Sequence, residues 1–296
     1  MKRSVIRVLP DGNSYSVQPF HICLKGLESA ILCRDDQDYD SMVKVICVCA
    51  RRKNVLVIIY GVVSNHCHVA VLAPSHAEAD AFAYEIKKIY SMLFQRKYKV
   101  NNILHRIEIK AICLDNDNYV RNALAYIPRN AMDNGASVYE YPWTGFRAMF
   151  AQKPERGRPV ALLPTREAEA ILHTGDNLKN VPWQLDADNR LIPSTFCDCE
   201  YLEQVFNNDP AYFLRLVGGV NTAEMHYELE EKPYQMQSDS EYYKTVNDIC
   251  NKWFRTDISS LSLAQKKRVS PYLRRTTKTT DRQLARILEL DPAELS

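Results

Sequence analysis

The sequence predicts an α+β protein: an antiparallel sheet with helices packed on one face, followed by an α-helical C-terminal region. Three observations predict it. Strand-like and helix-like pieces follow the order strand, helix, strand, strand, helix, strand, helix through the first half. A charged, proline-rich break then interrupts the pattern. Beyond residue 248 only helical, strongly basic sequence remains.

The elements follow in chain order. Phe20 to Leu24 is a short apolar strand. Tyr39 to Lys53 carries Met42, Val43, Ile46 and Ala50 at helical spacing. Val55 to Ala73 is nearly continuous apolar sequence, read as two strands joined near Gly61 to Asn65. Ala77 to Tyr98 is a long amphipathic helix with Phe82, Ile86, Ile89 and Leu93 on its apolar stripe. Its polar side offers Lys87, Lys88, Arg96 and Lys97, the candidate DNA contacts of this half. Ile107 to Leu114 is a further strand, and Asp117 opens a helix running through Tyr126.

The stretch KPERGRPVALLP marks a linker over residues 153–164, closing a first domain of residues 1–152. Residues 165–247 form a helical middle region with no motif that carries chemistry, and residues 248–296 a basic helical tail. A chain of 296 residues suits two or three domains. Its 46% apolar and 25% charged content is that of a soluble globular protein. Nine cysteines, an odd number, follow an N-terminus without the apolar core of a secretory signal, so a reducing cytoplasm is expected. Cys47/Cys49 and Cys197/Cys199 have one-residue spacers, unlike structural zinc ligands, and read as packing residues. The run Val55 to Ala73 is broken by Ser64, Asn65 and two histidines, so no membrane span is expected there.

Those histidines, His66 and His68, are the candidate chemical centre. Strand side chains alternate, so both point to one face and Cys67 to the other. Neutral imidazoles in an apolar sheet need partners. A shared metal ion satisfies both; separate hydrogen bonds are the alternative. A histidine-triad arrangement is excluded, because the next alternate position is Ala70. Downstream, Tyr126 and Asn130 stand four apart, on one face of a helix. A divalent ion held by His66, His68 and Asn130 would polarise a phosphate, and Tyr126 would attack it.

The ordered blocks SNHCHVAV, RIEIKAICLDNDNYVRNALAYIPRN and YEYPWTGFRAMF resemble the REP-associated tyrosine transposases, a branch of the single-tyrosine HUH transposases in the IS200-like superfamily. The likeness covers about residues 15 to 150. It implies a ferredoxin-like catalytic domain that nicks and rejoins hairpin-associated single-stranded DNA through a 5′-phosphotyrosine. His66 and His68 match the metal pair, Tyr126 the nucleophile and Asn130 the residue completing the metal site. Tyr141, Pro142 and Trp143 match a packing signature. The implied cofactor is Mg²⁺ or Mn²⁺, and the implied assembly a homodimer, since one tyrosine serves one DNA end. Pro128, between nucleophile and ligand, is expected to kink the helix. The alternative function is a domesticated hairpin-DNA-binding protein whose cleavage is weak or lost.

From Lys252 to Arg286 ten Lys/Arg stand against Asp257 and Asp281, a density that suggests a polyanion. Thr280 is placed to cap a helix over Asp281 to Leu288, and Asp291-Pro292 to start another. This outline resembles the DnaA-like, helix-turn-helix-like tail of some of these transposases. The sequence after Asp291 is too short to fill a groove, so either the chain is truncated or the tail binds phosphates only, through Lys266, Lys267, Arg268, Arg274, Arg275 and Lys278. The alternative is a solvated helical bundle.

Overall fold

The computed structural model describes residues 4–26, 31–101, 106–133, 136–219, 239–276, 281–291 and 294. Contacts divide the chain into two compact units, Met1–Met225 and His226–Ser296.

The first unit is built around β2 (Ser14–Gly26), which pairs antiparallel with both β4 (His66–Ala73) and β5 (Ile107–Cys113). β3 (Leu56–Val62) pairs antiparallel with β4, so the main sheet runs β5-β2-β4-β3. β1 (Val5–Val8) forms a hairpin with the first residues of β2. Helix α1 (Asp36–Arg52) joins β2 to β3, and α2 (His76–Tyr98) joins β4 to β5. This is the ferredoxin-like β-α-β-β-α-β order. β2 exceeds the apolar core Phe20 to Leu24 because its first residues pair with β1.

Local chemistry sets the helix ends. The Asp35 side chain accepts from the Asp38 backbone N–H at the start of α1, and Arg51 and Arg52 lie in its last turn. Ser75 caps α2 and also bonds Glu78, a capping box. α1 and α2 pack on one sheet face, where Phe20, Ile22, Leu24, Cys67, Val69 and Val71 meet Met42, Ile46, Phe82 and Ile86.

A third helix, α3 (Asp117–Asp133), lies against β3 and β4 on the other face, the one bearing His66, His68 and Ala70. Gly61, the register partner of His68, makes this approach possible. A Cβ there would lie 2.6 Å from the Ile127 carbonyl oxygen. α3 does not stop at Tyr126 or break at Pro128 but continues to Asp133. Proline removes one backbone donor there. The Asn130 side chain adds bonds in the same turn, donating from Nδ2 to the carbonyls of Tyr126 (3.0 Å) and Ile127 (3.3 Å).

The outer edge of β3 is closed by residues 141–144. Tyr141 Oη donates to the Val62 carbonyl, Val62 N–H to the Trp143 carbonyl and Thr144 Oγ1 to the Tyr60 carbonyl. Trp143 stacks on Tyr39 and donates Nε1–H to Asp40. Residues 153–164 include β6 (Arg158–Pro159), which pairs with β7 (Gln184–Leu185), and helix α4 (Thr165–Leu172) follows. Val160, Ala168, Leu172, Trp183 and Leu185 form a second core against Cys47 and Val48 of α1. α5 (Cys199–Val205) and α6 (Pro210–Gly219) complete the described part of this unit. The nine cysteines are free thiols, and burial pushes those of Cys47, Cys67 and Cys197 well above their ordinary value.

The second unit packs α7 (Asp239–Phe254), α8 (Leu263–Thr276) and α9 (Asp281–Leu288) around Val246, Cys250, Val269, Leu273, Leu284 and Leu288. α9 covers the span expected of it; its expected cap, Thr280, lies outside the described residues, as does Pro292. Among the described residues no helix is long and apolar enough to cross a membrane.

Candidate active site

His66 opens β4, half-buried, and His68 is wholly buried two residues on. Their rings meet edge-on at 4.9 Å between centroids. Asn130 reaches them from α3: its Oδ1 lies 3.1 Å from His66 Nε2. The amide cannot be turned round without loss, because Nδ2 is committed to the Tyr126 and Ile127 carbonyls. One turn earlier, the Tyr126 ring packs edge-on against His68 at 5.2 Å. Tyr126 is 0% exposed. Four side chains from β4 and α3, more than fifty residues apart in sequence, are thus brought together.

His66 Nδ1 lies 2.7 Å from Asn65 Oδ1. Both ring nitrogens therefore face amide oxygens, which only accept, while a neutral imidazole has one N–H. With Nδ1–H given to Asn65, Nε2 would face Oδ1 as a second acceptor, and a cation between them would take both as ligands. Donors about 2.1 Å from an octahedral ion and at right angles stand about 3.0 Å apart. The 3.1 Å separation fits that geometry. Among the described residues no group of three or more His, Cys, Asp and Glu side chains is arranged to hold an ion. The candidate set is two histidines and an amide oxygen, which would leave positions on an ion for other oxygen ligands.

One neighbour escaped the sequence reading. His21 of β2 is wholly buried, stacks on His68 at 4.9 Å and places Nε2 3.0 Å from His68 Nδ1. A buried hydrogen-bond partner on the far nitrogen is how metal-binding histidines are oriented. The signal was a histidine inside the apolar strand PFHICL, but only the β2–β4 register gives it His68 as a partner.

The basic residues divide between the faces. Lys25 pairs in register with His66 and Lys110 with Cys23, itself the partner of His68, so both lysines project on the histidine face. Lys25 is exposed. Lys87, Lys88, Arg96 and Lys97 ride on α2, against the opposite face. Lys97 is held by Asp35 and Asp38.

In the second unit Lys266 is buried and paired with Glu289, and Lys267 is paired with Glu294. Arg268 and Arg274 are exposed. The side chain of Arg275, and Lys278 entirely, lie outside the described residues.

No protein-family model matches the chain. No curated protein matches it either. Among solved structures, the chain is distantly similar to a REP-associated tyrosine transposase bound to a REP hairpin. The two share 17% identity with a TM-score of 0.37, over 45% of this chain and 79% of that one.

Proposed function

We propose that the first unit is a metal-dependent transesterase for single-stranded, hairpin-associated DNA, the function that the sequence resemblance implies. One observation carries the reading: Asn130 Oδ1 and His66 Nε2 stand at ligand-pair distance while Tyr126, on the same helix, packs on His68. His66, His68 and Asn130 would hold Mg²⁺ or Mn²⁺, with Nε2 of each ring as the ligand atom. In this reading His68 donates Nδ1–H to His21, and His66 donates Nδ1–H to Asn65. The ion, when bound, neutralises charge on the scissile phosphate.

Tyr126 Oη attacks the phosphorus. The bond from phosphorus to the 3′ oxygen breaks, the phenolic proton ends on that oxygen, and a 5′-phosphotyrosine remains. Attack by a second strand's 3′ hydroxyl reverses the step and returns the proton to Tyr126, so no outside energy is consumed. With one nucleophilic tyrosine per site, joining two ends requires two chains, hence a homodimer.

A second reading, a hairpin-DNA-binding protein without cleavage, draws on the complete burial of Tyr126. Labelled hairpin DNA incubated with Mn²⁺ or Mg²⁺ separates the two. The enzyme leaves a denaturant-resistant protein–DNA adduct that Tyr126→Phe abolishes. Binding without an adduct under either ion establishes the second reading. An adduct that persists in Tyr126→Phe removes Tyr126 as nucleophile.

A further inference from the structure

Trp253, near the end of α7, and Tyr272 of α8 pack ring against ring, tilted 46° with centroids 4.6 Å apart. They do so at the surface: Trp253 is 43% exposed and Tyr272 is partly exposed. An indole this open is unusual, because tryptophan averages high burial. The core of the unit does not use it; Val246, Cys250, Ile258, Val269 and Leu273 fill that core.

Cations stand close to the pair along the chain. Lys252 and Arg255 flank Trp253 along the chain, and Arg268 stands one turn before Tyr272 on the same helix. All three are exposed, and none is in an ion pair among the described residues. From Lys252 to Thr276 seven Lys/Arg stand against one acidic residue, Asp257. Asp257 is occupied by the side-chain amides of Asn247 and Asn251.

From this juxtaposition we infer that the Trp253–Tyr272 pair is a base-stacking platform for unpaired DNA, with Lys252, Arg255 and Arg268 on the flanking phosphates. Aromatic faces bind bases without regard to sequence, and interleaved cations track the backbone. A duplex keeps its bases stacked on each other and offers no free base face to an indole, so the occupant is a single strand. The site differs from simple phosphate contact by basic residues, because it requires bases. It rests on the proposed reading only in taking DNA as the strand.

The experiment compares an oligodeoxythymidylate with an abasic phosphodiester of equal length, using the full chain and fluorescence anisotropy. The wild type binds the thymidylate about tenfold more tightly, the scale of one stacked base. Trp253→Leu and Tyr272→Leu bind both strands alike, and Trp253→Phe retains most of the preference. Circular dichroism melts identify any variant that has unfolded, and Trp253→Phe and Tyr272→Leu then decide between them. Equal binding of both strands by the wild type overturns the inference, as does a preference that survives both leucine variants or tighter binding of duplex. The adduct assay on the same variants reads the Tyr126 chemistry separately: an intact adduct with a lost base preference shows that the two proposals stand or fall apart.

Discussion

Asn130 Oδ1 stands 3.1 Å from His66 Nε2, with the amide locked in that orientation by two backbone carbonyls of its own helix. If the one imidazole N–H goes to Asn65, Nε2 and the amide oxygen are two acceptors face to face, a poor hydrogen bond and a good pair of ligands for the proposed ion. Mn²⁺ should therefore raise the melting temperature of the wild type. The stabilisation is roughly 2.7 kcal/mol at a hundredfold excess over Kd. His66→Ala and Asn130→Ala should lose the response, and Asn130→Asp, which keeps an oxygen there, should retain it. An equal shift in His66→Ala would place the ion elsewhere.

Gly61 is the contact point between the sheet and α3. A methyl group there meets the Ile127 carbonyl oxygen at 2.6 Å, backbone that cannot step aside. Gly61→Ala should cost about 1–3 kcal/mol of stability, as overpacking does. It should also abolish the Mn²⁺ response by lifting Asn130 from His66. Gly175→Ala, where an added Cβ meets nothing within 4 Å, is the control. If both variants unfold at the same urea concentration, the close approach of α3 is not a constraint.

The face on which DNA runs is testable by salt dependence. Lys25 shares a face with His66, whereas Lys88 lies on α2 against the opposite face. Lys25→Ala should reduce the slope of log Kd against log salt by about 1, the signature of one lost phosphate contact. Lys88→Ala should leave it unchanged. The reverse result would move the DNA to the α2 side.

Arg52, in the last turn of α1, donates Nε–H to Asp176 at 2.7 Å and a second bond at 3.1 Å, tying residues 174–176 to the helix. This pairing holds the Asp176 carboxyl below its ordinary 3.8. A depressed carboxylate contributes stability above its unfolded value and loses it as pH falls through the folded one. Both groups are partly solvated, so the pair contributes only about 1 kcal/mol. Asp176→Asn should lower the urea midpoint at pH 7 and converge on the wild type below pH 3.8. A deficit independent of pH would assign the effect to packing.

The sequence by itself determined the order of β2 to β5 and α1 to α3, because strand alternation and helical spacing are local, but not β1, β7 or β6, the last of which lies in the stretch read as a linker. It determined that His66 and His68 share a face and that Tyr126 and Asn130 share one. It did not reveal that α3 runs through Pro128, since the supporting bonds come from the Asn130 side chain folding back on its own helix. Only the tertiary structure decided that His21 meets His68, that Lys25 lies beside His66, and that α2 turns its lysines to the other side. It also decided that Lys266 faces Glu289 and that Trp253 stays at the surface against Tyr272. The physical reason is common to all of these. Which strands pair, and which sheet face a helix covers, follow from burial shared between residues far apart in the chain, and no local pattern encodes them.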